Sequence, residues 1–346
     1  MTSSNGTTRS ADGPLGICLW VHPRSTSTAF ARALLQRKDT HYEHEPVTMV
    51  FYHSAQRANF RFGEEACAQS EYYDATIEGV MQDMLKESRY GKNREGKDPV
   101  KFVFIKDMAQ SIFSADTLAK LYPKSKVYRQ ADTRAPKSDA DRKDVEDLRN
   151  TLENPTVVPI DLLRRYRHAF LMRTPEKTIP SYYKCTQEGA GGFTFWDSAE
   201  AGYAEIRILY QWMSNPESSW HKAPVSADDT KYPGRPVEQP AAPPLIDSAT
   251  LLADPEKTLA HWCKALGVPF EPTMLKWEDK KVKEFSSWGS FHDVAEHSTG
   301  FDKSVEAPKK DHCQEVLDGI EECRADYEWL HARRTISADD EKPLAS

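Results

Sequence analysis

Long apolar runs are missing from this 346-residue chain. No stretch approaches the roughly 18–20 apolar residues that a membrane-spanning helix needs. The first residues, MTSSNGTTRSADG, also lack the apolar region of a secretory signal. We therefore expect a cytoplasmic protein without a membrane segment, in which residues 1–14 form a disordered leader.

Closely spaced cysteines are missing as well. The six cysteines are widely scattered, and no two have the spacing of a zinc-binding or redox motif. The spacing of His, Cys and carboxylate residues suggests no metal site. The net charge of −7 argues against non-specific binding to nucleic acid. We expect a reduced protein without a metal and without a nucleic-acid partner, and the sequence leaves monomer and homodimer equally open.

The apolar pattern alternates between strands and helices along most of the chain. Strands are indicated at 15–21, near 41–45, at 101–113 with a break at Lys106-Asp107, at 168–172 and at 245–246. Helices are indicated at 29–37, 74–89, 197–213 and 312–333, at the end of the segment 168–184, and within 243–270 with Pro255 near the helix start. This alternation predicts an α/β fold with a central, mostly parallel sheet.

One domain accounts for this pattern. It covers residues 15–334, with polar, solvated insertions near 123–155 and 214–244 and a flexible tail over 335–346.

The most informative segment is HPRSTST, residues 22–28, which joins the first strand to the first helix. Free N–H groups and the positive end of the helix dipole converge at such a turn. The segment lacks the glycines and the Gly-Lys-Ser/Thr ending of a Walker A loop. It indicates a site for a phosphate-like anion, and ordinary helix capping is the alternative. The candidate anion ligands are Arg24, Ser25, Thr26, Ser27 and Thr28.

Three segments, in this order, resemble the sulfotransferase family: HPRSTST at 22–28, AFLMRTPEKTIPSYY at 169–183 and LIDSATLLADPEKTLAHWCKALGVPFEPTMLKW at 245–277. HEP at 44–46 and IKDMAQ at 105–110 point to a bacterial and fungal subgroup with a Pro-Arg-Ser loop. The resemblance implies a three-layer P-loop nucleotide-binding fold. It also implies transfer of a sulfuryl group from 3′-phosphoadenosine 5′-phosphosulfate to a hydroxyl or amine of a small molecule.

The resemblance assigns roles to the anion-binding residues. Arg24 and the hydroxyls of the loop would hold the 5′-phosphosulfate, and Arg173 and Ser181 would hold the 3′-phosphate. Many family members have Lys where this chain has Arg24. Arginine keeps the positive charge and the bidentate geometry, but it cannot give up a proton.

Candidate catalytic groups follow the second and third strands. Glu45 is the candidate base and His44 is its rival. Lys106 would neutralise the bridging oxygen of the donor. The structural alternatives are a Glu45 paired with a nearby arginine and a Lys106 paired with Asp107.

The acceptor pocket is expected in variable, aromatic-rich segments, since such a lining suits a small organic molecule. Its candidate residues are Phe51, Tyr52, Trp288 and His292. The alternative is that these aromatic residues form core. Two other functions compete with sulfuryl transfer: a nucleotide-dependent kinase or hydrolase on the same scaffold, and a non-catalytic nucleotide-binding protein. In the case of sulfuryl transfer, the sulfate would stay on the product or activate the small molecule for elimination or cyclisation.

Overall fold

A parallel sheet of five strands organises the molecule. The computed structural model describes residues 13–90, 100–128, 145–224, 231–234, 236–283, 285, 291, 297–301 and 311–336. The strands are β1 (Leu15–Val21), β2 (Thr40–His44), β3 (Phe102–Met108), β4 (Tyr166–Met172) and β5 (Leu245–Asp247). Their order is β2-β3-β1-β4-β5, and every pairing is parallel. The predicted α/β fold with a parallel sheet is confirmed.

The described helices connect these strands and cover both faces of the sheet. In chain order they are α1 (Ser27–Leu35), α2 (Pro46–His53), α3 (Glu64–Ala68), α4 (Ile77–Met84), α5 (Glu87–Tyr90), α6 (Ala115–Leu121), α7 (Ile160–Leu163), α8 (Pro175–Gln187), α9 (Tyr203–Ser214), α10 (Ser219–Lys222), α11 (Ser248–Ala253), α12 (Pro255–Ala265) and α13 (Gln314–His331). Among them, none combines the length and the apolar character that crossing a bilayer requires.

Local sequence explains several of these boundaries. Proline stands at the start of α2, α8 and α12, where its missing N–H costs nothing. The Asp254 carboxylate caps α12 by accepting from Lys257 N at 3.0 Å. After α12 the chain reverses at Gly267, whose φ of 64° is a left-handed conformation that favours glycine.

Alternate residues along each strand feed two hydrophobic cores. Trp20 and Ile105 face the core that contains residues of α2, α4 and α9. Leu19 and Phe104 face the opposite core, where Trp262 of α12 packs edge-on against Phe104 at 6.1 Å between ring centroids. Because both faces of the sheet are covered, the central strand β1 is a continuous apolar run, whereas the edge strand β2 (THYEH) is largely polar.

Two predicted boundaries are wrong. The third strand does not break at Lys106-Asp107 but runs to Met108, since both polar side chains find buried partners beside the strand. The helix predicted over 74–89 is interrupted between α4 and α5, because Leu85 N and Lys86 N bond to carbonyls three residues back.

The predicted insertions and tail are less solvated than expected. Val127 and Tyr128 in the first insertion are buried, as are Trp220 and Tyr232 in the second. Ile336, assigned to the flexible tail, forms a parallel bridge with Ile246 of β5. Aromatic and aliphatic side chains inside polar segments therefore anchor them to the core. Residues 1–12, 129–144, 225–230, 235 and 337–346 lie outside the described residues.

A buried carboxyl group on α9 makes the fold sensitive to pH. Glu205 is fully buried, and the Tyr122 hydroxyl donates to its Oε2 at 2.8 Å. Its Oε1 has no partner among the described residues. Burial raises the pKa of Glu205 to about 8, and the nearby Asp326 charge acts in the same direction.

Glu205→Gln should therefore stabilise the protein at alkaline pH relative to the parent chain. The folded chain keeps the Glu205 proton up to about pH 8, whereas the unfolded chain loses it near pH 4.5. The contribution of Glu205 to stability is thus present below pH 4.5 and is lost as pH rises towards 8. Urea denaturation at pH 5 and pH 8 should show a relative gain for the variant on the order of 2 kcal/mol. Glu328→Gln, at an exposed position of α13, is the control; an equal gain there would contradict the assignment.

Candidate active site

Strained backbone marks the carboxyl edge of the sheet. Among the described residues, the non-glycine residues with positive φ are Arg24 (64°), Thr26 (73°) and Glu45 (52°). Arg24 and Thr26 follow β1, and Glu45 follows β2. A left-handed conformation costs a non-glycine residue about 1–2 kcal/mol. Such strain is maintained where the surrounding contacts fix the backbone, and it concentrates at functional sites.

The loop between β1 and α1 carries an unsatisfied buried hydroxyl. Ser25 is fully buried, and its Oγ has no hydrogen-bond partner among the described residues. An unpaired buried hydroxyl costs about 1–3 kcal/mol. Ser25 stands directly before the N-terminus of the nine-residue helix α1, where free N–H groups point outward. The loop therefore offers donors suited to an anion.

Thr26 does not act as a simple helix cap. It occupies the N-cap position of α1, yet its side chain makes no capping bond. Its Oγ1 instead lies 2.6 Å from Ser248 Oγ, at the start of α11. This contact ties the anion-binding loop to the end of β5. The sequence did not single out Ser248, and its only signal is its position directly after a strand.

The structure brings the two predicted anion-binding segments together. Arg24 Nε donates to Ser181 Oγ at 2.9 Å, and an NH group of Arg24 donates to the carbonyl of Phe291. Arg173 NH1 donates to the carbonyl oxygen of Arg24 at 3.2 Å. Arg24, Arg173 and Ser181 thus form one cluster, and the Arg24 side chain extends towards Ser181 of α8.

The two arginines of this cluster lack a counterion. Within the described part of the chain, neither Arg24 nor Arg173 makes a salt bridge. Burial lowers the pKa of Arg173, and the positive charge of Arg24 lowers it further. The Asp247 carboxylate opposes this shift more weakly. Guanidinium groups without a carboxylate partner are chemically suited to a multiply charged anion.

A second polar cluster lies at the ends of β2 and β3. The Lys106 ammonium donates to Glu45 Oε1, and both side chains are almost completely buried. His44 Nε2 lies 3.6 Å from the same oxygen, and its Nδ1 is 2.6 Å from the Tyr42 hydroxyl. The partner of Glu45 is therefore a lysine rather than the arginine considered above. Lys106, Glu45 and His44 therefore lie together at this edge of the sheet, and their catalytic roles stay predictions.

Asp107 has a role that the sequence analysis missed. Its carboxylate accepts from Val47 N at 2.7 Å and from the Thr48 side chain, at the N-terminus of α2. It therefore caps the helix that follows Glu45 instead of pairing with Lys106. Burial raises the pKa of Asp107 to about 7, and the Glu45 charge adds to the shift. Two consecutive residues of β3 thus have different partners: Lys106 binds Glu45, and Asp107 binds the N-terminus of α2.

The predicted acceptor-pocket residues divide into two pairs. Phe51 and Tyr52 are 1% and 4% exposed and lie in the core. The Tyr52 hydroxyl donates to the buried Glu200 at 3.1 Å. Packing is thus their role in this structure, and contact with an acceptor stays a prediction. Trp288 and His292 lie outside the described residues.

An aromatic group lies next to the arginine cluster. The ring of Phe291, whose carbonyl binds Arg24, packs on Tyr182 and Phe193 at centroid distances of 6.2 and 5.7 Å. Arg61, paired with Glu200, stacks over Phe193 and Phe195.

Among the described residues no group of three or more potential metal ligands comes together.

Comparison with known proteins gives partial matches. A family model described as "Sulfotransferase domain" matches residues 241–321. A protein from Metarhizium rileyi called "Sulfotransferase ppzF" is 24% identical over 204 residues, covering 52% of this chain and 56% of the relative. "Branched-chain-amino-acid aminotransferase-like protein 2" from Arabidopsis thaliana is 27% identical over 153 residues, covering 44% of this chain. The chain spans about half the length of the fungal relative and only 22% of the plant one.

Two solved structures are also similar. They are sulfotransferase domains, one from the Synechococcus PCC 7002 olefin synthase and one from the curacin biosynthetic pathway. Each is 13% identical, with TM-scores of 0.36 and 0.39 over 90% and 89% of this chain and 96% and 97% of theirs. Both TM-scores are below 0.5, so the fold class is assigned from the strand order and strand direction described above.

The Lys106–Glu45 pair should show strong energetic coupling. Lys106→Met leaves a buried carboxylate without its partner, which costs about 3–5 kcal/mol of unfolding free energy. The double variant Glu45→Gln/Lys106→Met should lose less than Lys106→Met alone, because no buried charge remains unpaired. Urea denaturation of the single and double variants measures this coupling. Lys101→Met, at an exposed lysine 3.8 Å from Asp39, is the control and should cost about 0–1 kcal/mol. Additive losses in the cycle would contradict the pairing.

Proposed function

We propose that this chain, part of which matches a sulfotransferase domain model, is an enzyme that transfers a sulfuryl group from 3′-phosphoadenosine 5′-phosphosulfate to a hydroxyl or amine of a small molecule. One observation carries the proposal: Arg24 and Arg173 lie together at the carboxyl edge of the sheet without a carboxylate partner among the described residues. Ligands of open parallel sheets bind at this edge.

The residues present fit such a donor. The nucleotide carries two separated anionic groups, and the site offers two sets of anion ligands. Arg173 and Ser181 would hold the 3′-phosphate, with Arg24 bound to Ser181 beside them. Ser25 and the N-terminus of α1 would hold the 5′-phosphosulfate, which would satisfy the orphan hydroxyl of Ser25.

Three charged residues of the site, Glu45, Lys106 and Arg24, each have one role in this scheme. The donor supplies an activated sulfuryl group when it is bound. Glu45 accepts the proton of the acceptor hydroxyl or amine, which makes that atom a better nucleophile. The Lys106 ammonium compensates the buried charge of Glu45 and offers a cation at the edge of the sheet. Arg24 stabilises negative charge without donating a proton, because a guanidinium stays charged.

The acceptor belongs to the class of small organic molecules, since aromatic rings such as those of Tyr182, Phe193 and Phe291 stand beside the arginine cluster. A sulfate ester is also a good leaving group. The transferred sulfate therefore either stays on the product or activates a hydroxyl for elimination or cyclisation.

Arg173→Ala should weaken the binding of adenosine 3′,5′-bisphosphate by about 2–3 kcal/mol, the scale of a lost charge-assisted pair. Adenosine 5′-phosphate, which lacks the 3′-phosphate, should bind both proteins almost equally. Titration calorimetry with both nucleotides measures the difference. Lys177→Ala removes an exposed cation from the first turn of α8 and is the control.

Three results would count against the donor assignment. One is an unmodified protein that binds adenosine 3′,5′-bisphosphate no better than adenosine 5′-phosphate. Another is an unchanged affinity in Arg173→Ala. The third is an equal loss in Lys177→Ala, which would indicate a diffuse charge effect.

Glu45→Gln should lower turnover by roughly 10²–10⁴, the usual share of general-base catalysis. The acidic limb of the pH–rate profile should vanish, while nucleotide affinity stays within a factor of about two. Release of adenosine 3′,5′-bisphosphate in an acceptor screen measures turnover for any acceptor, because every sulfuryl transfer from the donor releases this nucleotide. His44→Ala tests the rival base. If the Glu45→Gln variant keeps the acidic limb, Glu45 is not the base, and His44 becomes the candidate.

A further inference from the structure

The main chain of Arg173 is held by two side chains from other parts of the fold. Arg173 comes directly after β4 and before α8, so its peptide groups lie outside both elements. Its N–H donates to His22 Nε2 at 2.9 Å, and its carbonyl accepts from the Tyr203 hydroxyl at 2.5 Å. Both backbone groups of the residue that provides the guanidinium are therefore fixed.

The bonds of His22 determine its tautomer. The Pro23 carbonyl, 2.9 Å from Nδ1, can only accept, and the Arg173 N–H can only donate. Nδ1 must therefore carry the proton, and Nε2 must be free of one. Burial lowers the pKa of His22 to about 3, so the imidazole stays neutral at ordinary pH. His22 is a permanent acceptor for Arg173.

Tyr203 is positioned just as tightly. Its ring stacks on His22 at 4.2 Å between centroids, and both residues are almost fully buried. Burial raises the pKa of Tyr203 well above its usual value, so the hydroxyl remains a donor. The preceding Gly202 has a φ of 74°, and a Cβ there would collide with Gln110. The start of α9 is thus packed closely against the end of β1.

From this geometry we propose that His22 and Tyr203 are positioning residues that set the preference of the site for a nucleotide with a 3′-phosphate. They do so by holding Arg173 in place before the ligand arrives. The inference rests on the proposed function, because it assumes that Arg173 binds that phosphate. Neither residue touches the ligand in this scheme. Their contribution is to reduce the ordering cost that a mobile arginine would incur on binding.

Tyr203→Phe is the sharpest test, because it removes the donor to the Arg173 carbonyl and keeps the ring that stacks on His22. The ratio of dissociation constants for adenosine 5′-phosphate and adenosine 3′,5′-bisphosphate should fall about tenfold, the effect of about 1.4 kcal/mol of lost preorganisation. Tyr210→Phe is the matched control. Tyr210 lies on the same helix, is buried, and donates to the Arg333 carbonyl at 3.3 Å.

A second pair of variants tests the other bond. His22→Gln offers an amide oxygen that can accept from the Arg173 N–H, whereas His22→Leu offers none. The nucleotide preference should therefore fall further in His22→Leu than in His22→Gln. Thermal melts establish that each variant is folded under the conditions of the titration.

The outcomes separate the inference from the function on which it rests. An unmodified protein without preference for the 3′-phosphate overturns the proposed function and the inference with it. A preference that survives Tyr203→Phe within about twofold overturns the inference alone. Equal losses in Tyr203→Phe and Tyr210→Phe also overturn it, because they would reflect general loosening of α9. Loss in Tyr203→Phe with retention in Tyr210→Phe supports it.

Discussion

The uncompensated positive charge of Arg24 and Arg173 is the constraint on which the rest of the site depends. Arg173 NH1 donates to the main-chain carbonyl of Arg24, and neither side chain makes a salt bridge in the described part of the chain. Burial also reduces the hydration of these side chains, so the fold must hold two partly desolvated positive charges in place. It does so with bonds to neutral acceptors: the Ser181 hydroxyl and the carbonyls of Phe291 and Arg24. Neutral acceptors orient an arginine and leave its charge uncompensated.

The parallel sheet makes this arrangement possible. Adjacent strands end at the same edge, so the residues that follow β1, β2, β3 and β4 become neighbours although they are distant in sequence. Lys106 pairs in register with His44, and the Glu45 N–H extends the same ladder by donating to the Lys106 carbonyl at 2.8 Å. The backbone therefore places the catalytic candidates, and side-chain packing only selects their rotamers.

Sequence patterns predicted the parts of the structure that follow from local chemistry. Apolar runs located the strands, and HPRSTST located the turn that joins β1 to α1, where anion binding stays a prediction. They placed Glu45, His44 and Lys106 near the ends of the second and third strands, but they did not predict the Lys106–Glu45 ion pair. They did not predict the role of Asp107, whose partners Val47 and Thr48 lie about sixty residues earlier. His22 and Ser248 were missed for the same reason, since a hydrogen bond between distant segments leaves no local pattern.

The unfavourable features of the site differ in what a ligand does to them. A bound dianion would offset the repulsion between Arg24 and Arg173 and would satisfy the Ser25 hydroxyl. It would leave the left-handed backbone of Arg24, Thr26 and Glu45 unchanged, because that strain comes from the steric contact between Cβ and the following carbonyl oxygen. The packing of the two cores must therefore offset the backbone strain with or without a ligand. The electrostatic cost, in contrast, would be removed when an anion binds. These properties are typical of a preorganised site, in which the backbone geometry is fixed before binding and an anionic ligand would neutralise the positive charge.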